Sequence, residues 1–357
     1  MKKIILTLAV IIISGIAAIS YTCDLNIFSK KGNPAPQIIE NKKIEVLATT
    51  DSVSNAVNQV WVGTFQLIWN DLIDSIIKAP VTFAGYDSNM AKNLNKKEFT
   101  IYDISESTYY KKWGLVSKEL KQEIEDGIKE KFDETSNILD TLDWTPAKDK
   151  YILYAMLKKD FEYTEKFNKL PDANFNGSKR KVKYFGLDED STYKQRDSIN
   201  VLFYNGEDDF AVSLKSKQGD IIYLYRTNDD KTFKNYYEDI KNKTNAYNGK
   251  KYLEEIDSFK APMIDFNTTR DFKELTNKQI KNSDFVISQA IETVQFKMNE
   301  TGVKLKSEAA IIVEKCILQE KSQPRFFDFN DKYVIFISEN GKKPYFALKV
   351  TDAEKLQ

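Results

Sequence analysis

The side chains of this 357-residue chain that could do chemistry are nearly all carboxylates and lysines, because it contains no histidine and only two cysteines, Cys23 and Cys316. Without histidine there is no Ser-His-Asp or Cys-His nucleophilic machinery, no HExxH zinc site and no ordinary imidazole acid–base catalysis. Two cysteines cannot build a Cys-rich metal site. The 13 glycines are dispersed and make no phosphate-cradling loop, so neither a cofactor nor a metal is expected. The carboxylate pairs Asp208-Asp209 and Asp229-Asp230 sit in polar, turn-like stretches and read as solvated turns. Lys+Arg and Asp+Glu balance at 53 each, which argues against a nucleic-acid partner.

A chain that is 41% hydrophobic and 30% charged, with 19 Tyr and 22 Phe, has the material for a globular core. Its start is different. Met1-Lys2-Lys3 precedes an apolar run, Ile4 to Ile19, that is short for a spanning helix, and Ala18-Ile19-Ser20 offers small residues for cleavage. Residues 1–22 therefore read as a signal peptide or N-terminal membrane anchor. Cys23 stands where a lipoprotein signal places its acylated cysteine, although Ser20-Tyr21-Thr22 departs from a lipobox. Cleaved secretion, lipid anchoring at Cys23 and retention as an N-terminal anchor all stay open, and each puts the remainder outside the membrane. Residues 23–45 read as a linker, and 46–357 as one domain.

Within that domain Val60, Phe65, Ile68, Leu72 and Ile76 recur at helical spacing, which predicts a long helix over 52–77 ended by Pro80. Ser117 can cap a second helix to Phe132, with Leu120, Ile124, Ile128 and Phe132 as its core stripe. Tyr151 to Leu157 is a continuous apolar run, the mark of a strand buried on both faces. Strands follow at 199–204, 210–214 and 221–225, then a helix at 232–240, a loop at 245–250 and a short strand at 262–266. Tyr333–Ser338 and Tyr345–Val350 form a closing hairpin. Helices first and strands after, with scattered helices, give an α+β fold.

One stretch departs from this regularity. Val294, Phe296 and Met298 alternate with polar residues as in a half-buried strand. After Asn299-Glu300-Thr301-Gly302 the alternation resumes as Val303, Leu305, Ser307, Ala309 and Ile311, with no sign of a tight hairpin between. Two readings stand: two strands with an irregular connection, or a segment able to add itself to a sheet.

These pieces, in this order, resemble the serpin (serine protease inhibitor) family, as a divergent bacterial member. Asn299-Glu300-Thr301-Gly302 resembles the family's N-E-E-G hinge, and Ser307-Glu308-Ala309-Ala310 its small-residue loop. Phe329 to Phe336 resembles F-N-x-P-F-x-F, and Phe346 to Asp352 the final F-x-G-[KR]-V-x-[ND] strand. Ile124 to Leu142 is similar to the family's helix F, and Tyr151 to Phe161 to the strand after it. Lys332 stands for the family proline and Leu348 for its glycine, Ala155 to Asp160 degrades the N-x-x-x-F-K-G element, and the region before helix F is shorter.

The resemblance implies a large central sheet with a second sheet or barrel, and no catalysis by the chain itself. A protease would cleave an exposed loop at about 303–325, which would then insert as a strand and trap the protease. Glu300, Thr301 and Gly302 would be the hinge, and Val303, Leu305, Ser307, Ala309, Ile311, Cys316 and Lys321 the reactive loop. The scissile bond falls near Cys316 counting from the hinge and near Lys321 counting back from Phe329. The partner would be an extracellular serine or cysteine protease. The bulk of Val303, Lys304, Leu305 and Lys306 argues against fast insertion, so a non-inhibitory surface or binding protein of the same fold is the alternative. An unrelated extracellular enzyme or solute-binding lipoprotein is the third reading.

Overall fold

The computed structural model describes residues 44–136, 138–146, 150–303 and 323–357. In chain order its elements are β1 (Ile44–Val46), β2 (Asn58–Val62), α1 (Thr64–Asp71, prolonged by a π-helical turn to Ile77), α2 (Asn89–Leu94), β3 (Tyr109–Leu115) and α3 (Lys118–Phe132). Next come β4 (Tyr151–Leu157), β5 (Phe161–Glu162), β6 (Asn168–Ala173), β7 (Val182–Gly186), α4 (Tyr193–Asp197), β8 (Ile199–Tyr204), β9 (Phe210–Lys215), β10 (Asp220–Arg226) and α5 (Phe233–Ala246). The last are β11 (Ser258–Pro262), β12 (Ile264–Asp271), β13 (Ile291–Met298), β14 (Gly302–Val303), β15 (Phe326–Asp328), β16 (Tyr333–Glu339) and β17 (Pro344–Val350).

The centre is a seven-stranded sheet ordered β1-β2-β17-β16-β10-β9-β8. All seven residues of β16 are buried, as a middle strand covered on both faces requires. On one side Phe336 meets Phe233 and Tyr237 of α5, at 6.0 and 5.4 Å between ring centroids. On the other, Phe346 stacks on Phe296 of β13 at 4.4 Å. Smaller sheets surround this core: β15-β11-β7-β6, and the pairs β12-β13, β3-β4 and β14-β5. The architecture is α+β, as the order of sequence signals implies. Among the described residues no helix is long and apolar enough to cross a membrane.

The helix over 52–77 is half right. Residues 58–62 form a strand instead, every one of them buried, and pair with β1 and β17; pairing in the central sheet overrides the helical spacing of Val60 with the residues after it. The helix starts only after Gly63, where a Cβ would lie 2.3 Å from the ring of Phe99. The likeness of 124–142 to one long helix also stops short. Asp133 takes a left-handed conformation at the C-cap, and Lys158 bonds both Phe132 O and Glu134 there. Among the described residues up to β4, a 3-10 turn at Leu139–Thr141 is all that follows. The strand at 262–266 is two strands, because the chain changes sheets at Met263, and α5 runs on to Ala246 into the expected loop.

The β4 strand is present but not buried on both faces: only Tyr154 is buried. Tyr154 packs under Leu120, Ile124 and Ile128 of α3, while the opposite face looks onto an open cavity. Because Ile335 is wholly buried in the middle strand, Ile335→Ala should cost about 2–5 kcal/mol. A lower urea midpoint with an unchanged m-value is the expected result.

Candidate functional site

Two strand pairs lie over the central sheet without pairing to one another. Among the described residues β4 pairs with β3 and β13 with β12, and no ladder joins β4 to β13. Their free edges border a cavity of about 790 Å³, with residues 154–161 on one wall and 291–297 on the other. Val62, Thr64, Phe65, Ile337, Tyr345 and Phe346 line it too, together with residues 134–136. A second cavity of about 300 Å³ shares Phe65, Ile68, Tyr154, Ala155 and Ile291 with the first and runs on between 150–155 and 285–291. The whole is a slot with two strand edges as rails.

Each rail is pinned to the central sheet. At the end of the β4 rail, Lys159 Nζ lies 2.9 Å from Asp220 Oδ1 and 2.7 Å from Glu339 Oε1, and the Tyr345 hydroxyl donates to the same Asp220 at 3.0 Å. The β13 rail is held by the Phe296–Phe346 stack and by Thr64 Oγ1, which donates to Glu292 Oε1 at 2.6 Å. At the far end of the slot the rings of Tyr151 and Phe285 meet at 5.9 Å.

The hinge residues sit where the rails come together. Asn299 and Gly302 exchange two backbone hydrogen bonds, at 3.2 and 3.3 Å, so the four residues make a tight turn. This corrects the reading of 299–302 as a joint without a hairpin: Asn299 Oδ1 accepts from the Thr301 N–H at 2.9 Å and fixes the reversal locally. Glu300 O accepts from Phe167 N at 2.8 Å and Thr301 O from Tyr163 N at 3.2 Å. The Glu300 side chain is buried, 3.5 Å from Lys169 Nζ. Gly302 has φ +130°, and a Cβ there would lie 2.7 Å from Glu162 Cα and Phe161 O. Glycine is therefore required twice over, by conformation and by space. Gly302 and Val303 then pair antiparallel with Glu162 and Phe161, so β14 touches both rails.

The sequence-predicted residues divide accordingly. Glu300, Thr301 and Gly302 come together as the turn, with the Val303 backbone beyond it. Leu305, Ser307, Ala309, Ile311, Cys316 and Lys321 lie outside the described residues, as does Cys23. The turn-like carboxylates are occupied in ion pairs: Asp208 with Arg226, Asp209 with Lys243, Asp229 with Lys231, and Asp230 with Lys332. No group of three residues able to hold a metal occurs among the described residues. Thr64, Lys159 and Glu292 were not singled out from sequence. Glu292 was findable, since it continues the buried phase of Val294, Phe296 and Met298.

No family model matches the chain, and no curated protein matches it. Among solved structures it is similar to Serpin48, described as a highly specific serpin in the insect Tenebrio molitor, at 14% identity and a TM-score of 0.49 over 84% of this chain and 92% of that one. It is also similar to thyroxine-binding globulin in complex with thyroxine (10%, TM-score 0.46, 82% and 99%) and to human glycosylated kallistatin (12%, TM-score 0.44, 81% and 96%). Each of these likenesses spans most of both chains at low identity.

Gly302→Ala tests the turn. The substitution should cost about 1–3 kcal/mol and speed hydrogen exchange at the Tyr163 and Phe167 amides, which the turn holds, while the amides of β16 exchange as before.

Proposed function

We propose that this chain is a strand-accepting protein of serpin type, exported, with an extracellular serine or cysteine protease as its partner and a reactive loop beginning at the hinge. The observation that carries the reading is that Gly302 and Val303 already stand as the first residues of a strand between the two rails. A continuation at the same register would place Val303, Leu305, Ser307, Ala309 and Ile311 opposite Met298, Phe296, Val294, Glu292 and Ala290. Directly opposed residues of an antiparallel pair share a face, and those five residues of the β13 side are all buried. On the other rail the register from Val303–Phe161 puts Ser307, Ala309 and Ile311 opposite Leu157, Ala155 and Leu153. These belong to the face of β4 turned away from α3. The alternation in the sequence matches both rails at once.

The slot also bears on the speed of insertion. The described rails have no ladder between them, so an inserting strand would not first have to part a pair of strands. In this reading the chain is cleaved and is not the catalyst. The segment 1–22 supplies export, and Cys23 is the candidate acylation point.

The test is limited proteolysis within 304–322 followed by thermal unfolding. About ten new backbone hydrogen bonds at roughly 1 kcal/mol each should raise the melting temperature on the order of 20 °C, with a covalent protease complex on denaturing gels if insertion outruns hydrolysis. A stability gain without a complex would leave a strand acceptor that behaves as a substrate. Neither gain nor complex would favour the non-inhibitory binding protein.

A further inference from the structure

Glu292 is the one acidic side chain among the described residues that is buried in the slot wall with an oxygen left over. Its Oε1 takes the Thr64 hydroxyl at 2.6 Å, while Oε2 has no hydrogen-bond partner. The Phe65 N–H lies beside the same carboxyl. Thr64 and Phe65 open α1, whose N-cap is Gly63 and offers no side chain to the helix's first free N–H groups. A carboxyl from β13 stands at that end of the helix instead, and its bond to the Thr64 hydroxyl ties the rail to the helix.

The other ionisable groups around the slot are engaged elsewhere. Lys158 pairs with Glu134 and Asp160, Lys159 with Asp220 and Glu339, and Lys297 with Asp265. Tyr345 donates to Asp220, and Tyr154 lies under α3. Arg270, directly opposite Glu292 on β12, is turned to Glu45, Glu274 and the Val46 carbonyl, so no described cation is paired with Glu292.

We propose that Glu292 is a proton-controlled positioning residue of the slot: as a neutral carboxylic acid it bonds the Thr64 hydroxyl at the start of α1 and holds β13 on the central sheet, and loss of its proton to water loosens that rail. Only the purpose of the slot rests on the strand-accepting reading; the tie between β13 and α1 does not. Burial raises the carboxyl to about 8, against the smaller opposing effects of the Thr64 hydroxyl and the Phe65 N–H. The folded state therefore holds this proton more tightly than the unfolded chain. Its stabilising contribution is complete below the ordinary carboxyl range and is lost as pH rises towards 8. A chain without histidine leaves that window almost empty of other titrations, apart from the α-amino group and the two cysteines.

The test uses the uncleaved full chain and compares wild type with Glu292→Gln in urea from pH 6 to pH 9. Relative to the variant, the wild-type folding equilibrium constant should fall about tenfold per pH unit up to pH 8 and then level off. Hydrogen exchange, corrected for its intrinsic pH dependence, should rise along 291–298 over the same range in the wild type and not in the variant. Parallel pH slopes for the two proteins would overturn the proposal. If Glu292→Gln does not fold, the Glu292 carboxyl carbon resonance of the wild type reads the same proton, and a midpoint near the ordinary 4.5 overturns it equally. A missing thermal gain after cleavage would instead count against strand insertion, and it would leave the pH slopes untouched.

Discussion

The ion pairs of Lys159 with Asp220 and Glu339, and the stacking of Phe296 on Phe346, fix two separate strand pairs to one sheet. An isolated two-stranded ribbon is marginal in water, so neither β3-β4 nor β12-β13 would persist without that floor. The floor decides how far apart the rails stand, and among the described residues it leaves each with an unpaired edge on a cavity. Open edges of this kind are ordinarily shielded by charge, bulges or cover. Here the two edges face one another across the slot, and each screens its neighbour from other chains. The same geometry that stops the sheet from closing keeps it from pairing at random.

The turn at Asn299–Gly302 is where this separation ends. Its outer carbonyls bond Phe167 and Tyr163, whose rings stack in turn with Phe185 and Phe259 of the smaller sheet. Behind them the Thr164 N–H donates to Lys215 O at the end of β9, and the Lys217 N–H donates to Glu162 O of β5. The turn is therefore backed by an aromatic cluster on one side and by the central sheet on the other. A chain leaving Gly302 has its direction set by two independent backbone contacts, antiparallel to both rails.

Much of this was legible before any coordinates. The strands of the central sheet carry unbroken or alternating apolar runs, and α3 carries its cap and its stripe, so 199–225, 333–350 and 118–132 fell where the patterns put them. What failed was local pattern in conflict with long-range pairing. Val60 falls in helical spacing with Phe65, Ile68, Leu72 and Ile76, yet the partners of 58–62 in β17 lie nearly three hundred residues away, and no window along the chain can hold that information. The turn at 299–302 was misread for a different reason, since its alternation is continuous while its reversal depends on one Asn side chain and one glycine. The pinning residues escaped because Lys159 and Asp220 are ordinary surface types until folding brings them together.

Glu292 shows how the sequence and the slot constrain one another. Gly63 must be small because the ring of Phe99 fills the space a Cβ would take, and that leaves α1 without a cap of its own. An acceptor for the Thr64 hydroxyl comes from the nearest rail, so the helix that floors the slot and the strand that walls it are joined at one carboxyl. A charged group there would bring water onto apolar surface formed by Phe65, Val294 and Phe296. A neutral acid does not, and it still presents an oxygen to the helix. With Ala290 and Ala155 as small neighbours along the rails, the side chain has room to stay buried whether the cavity beside it is empty or filled by a strand. The position thus reconciles an anchored helix, a dry wall and a vacant edge.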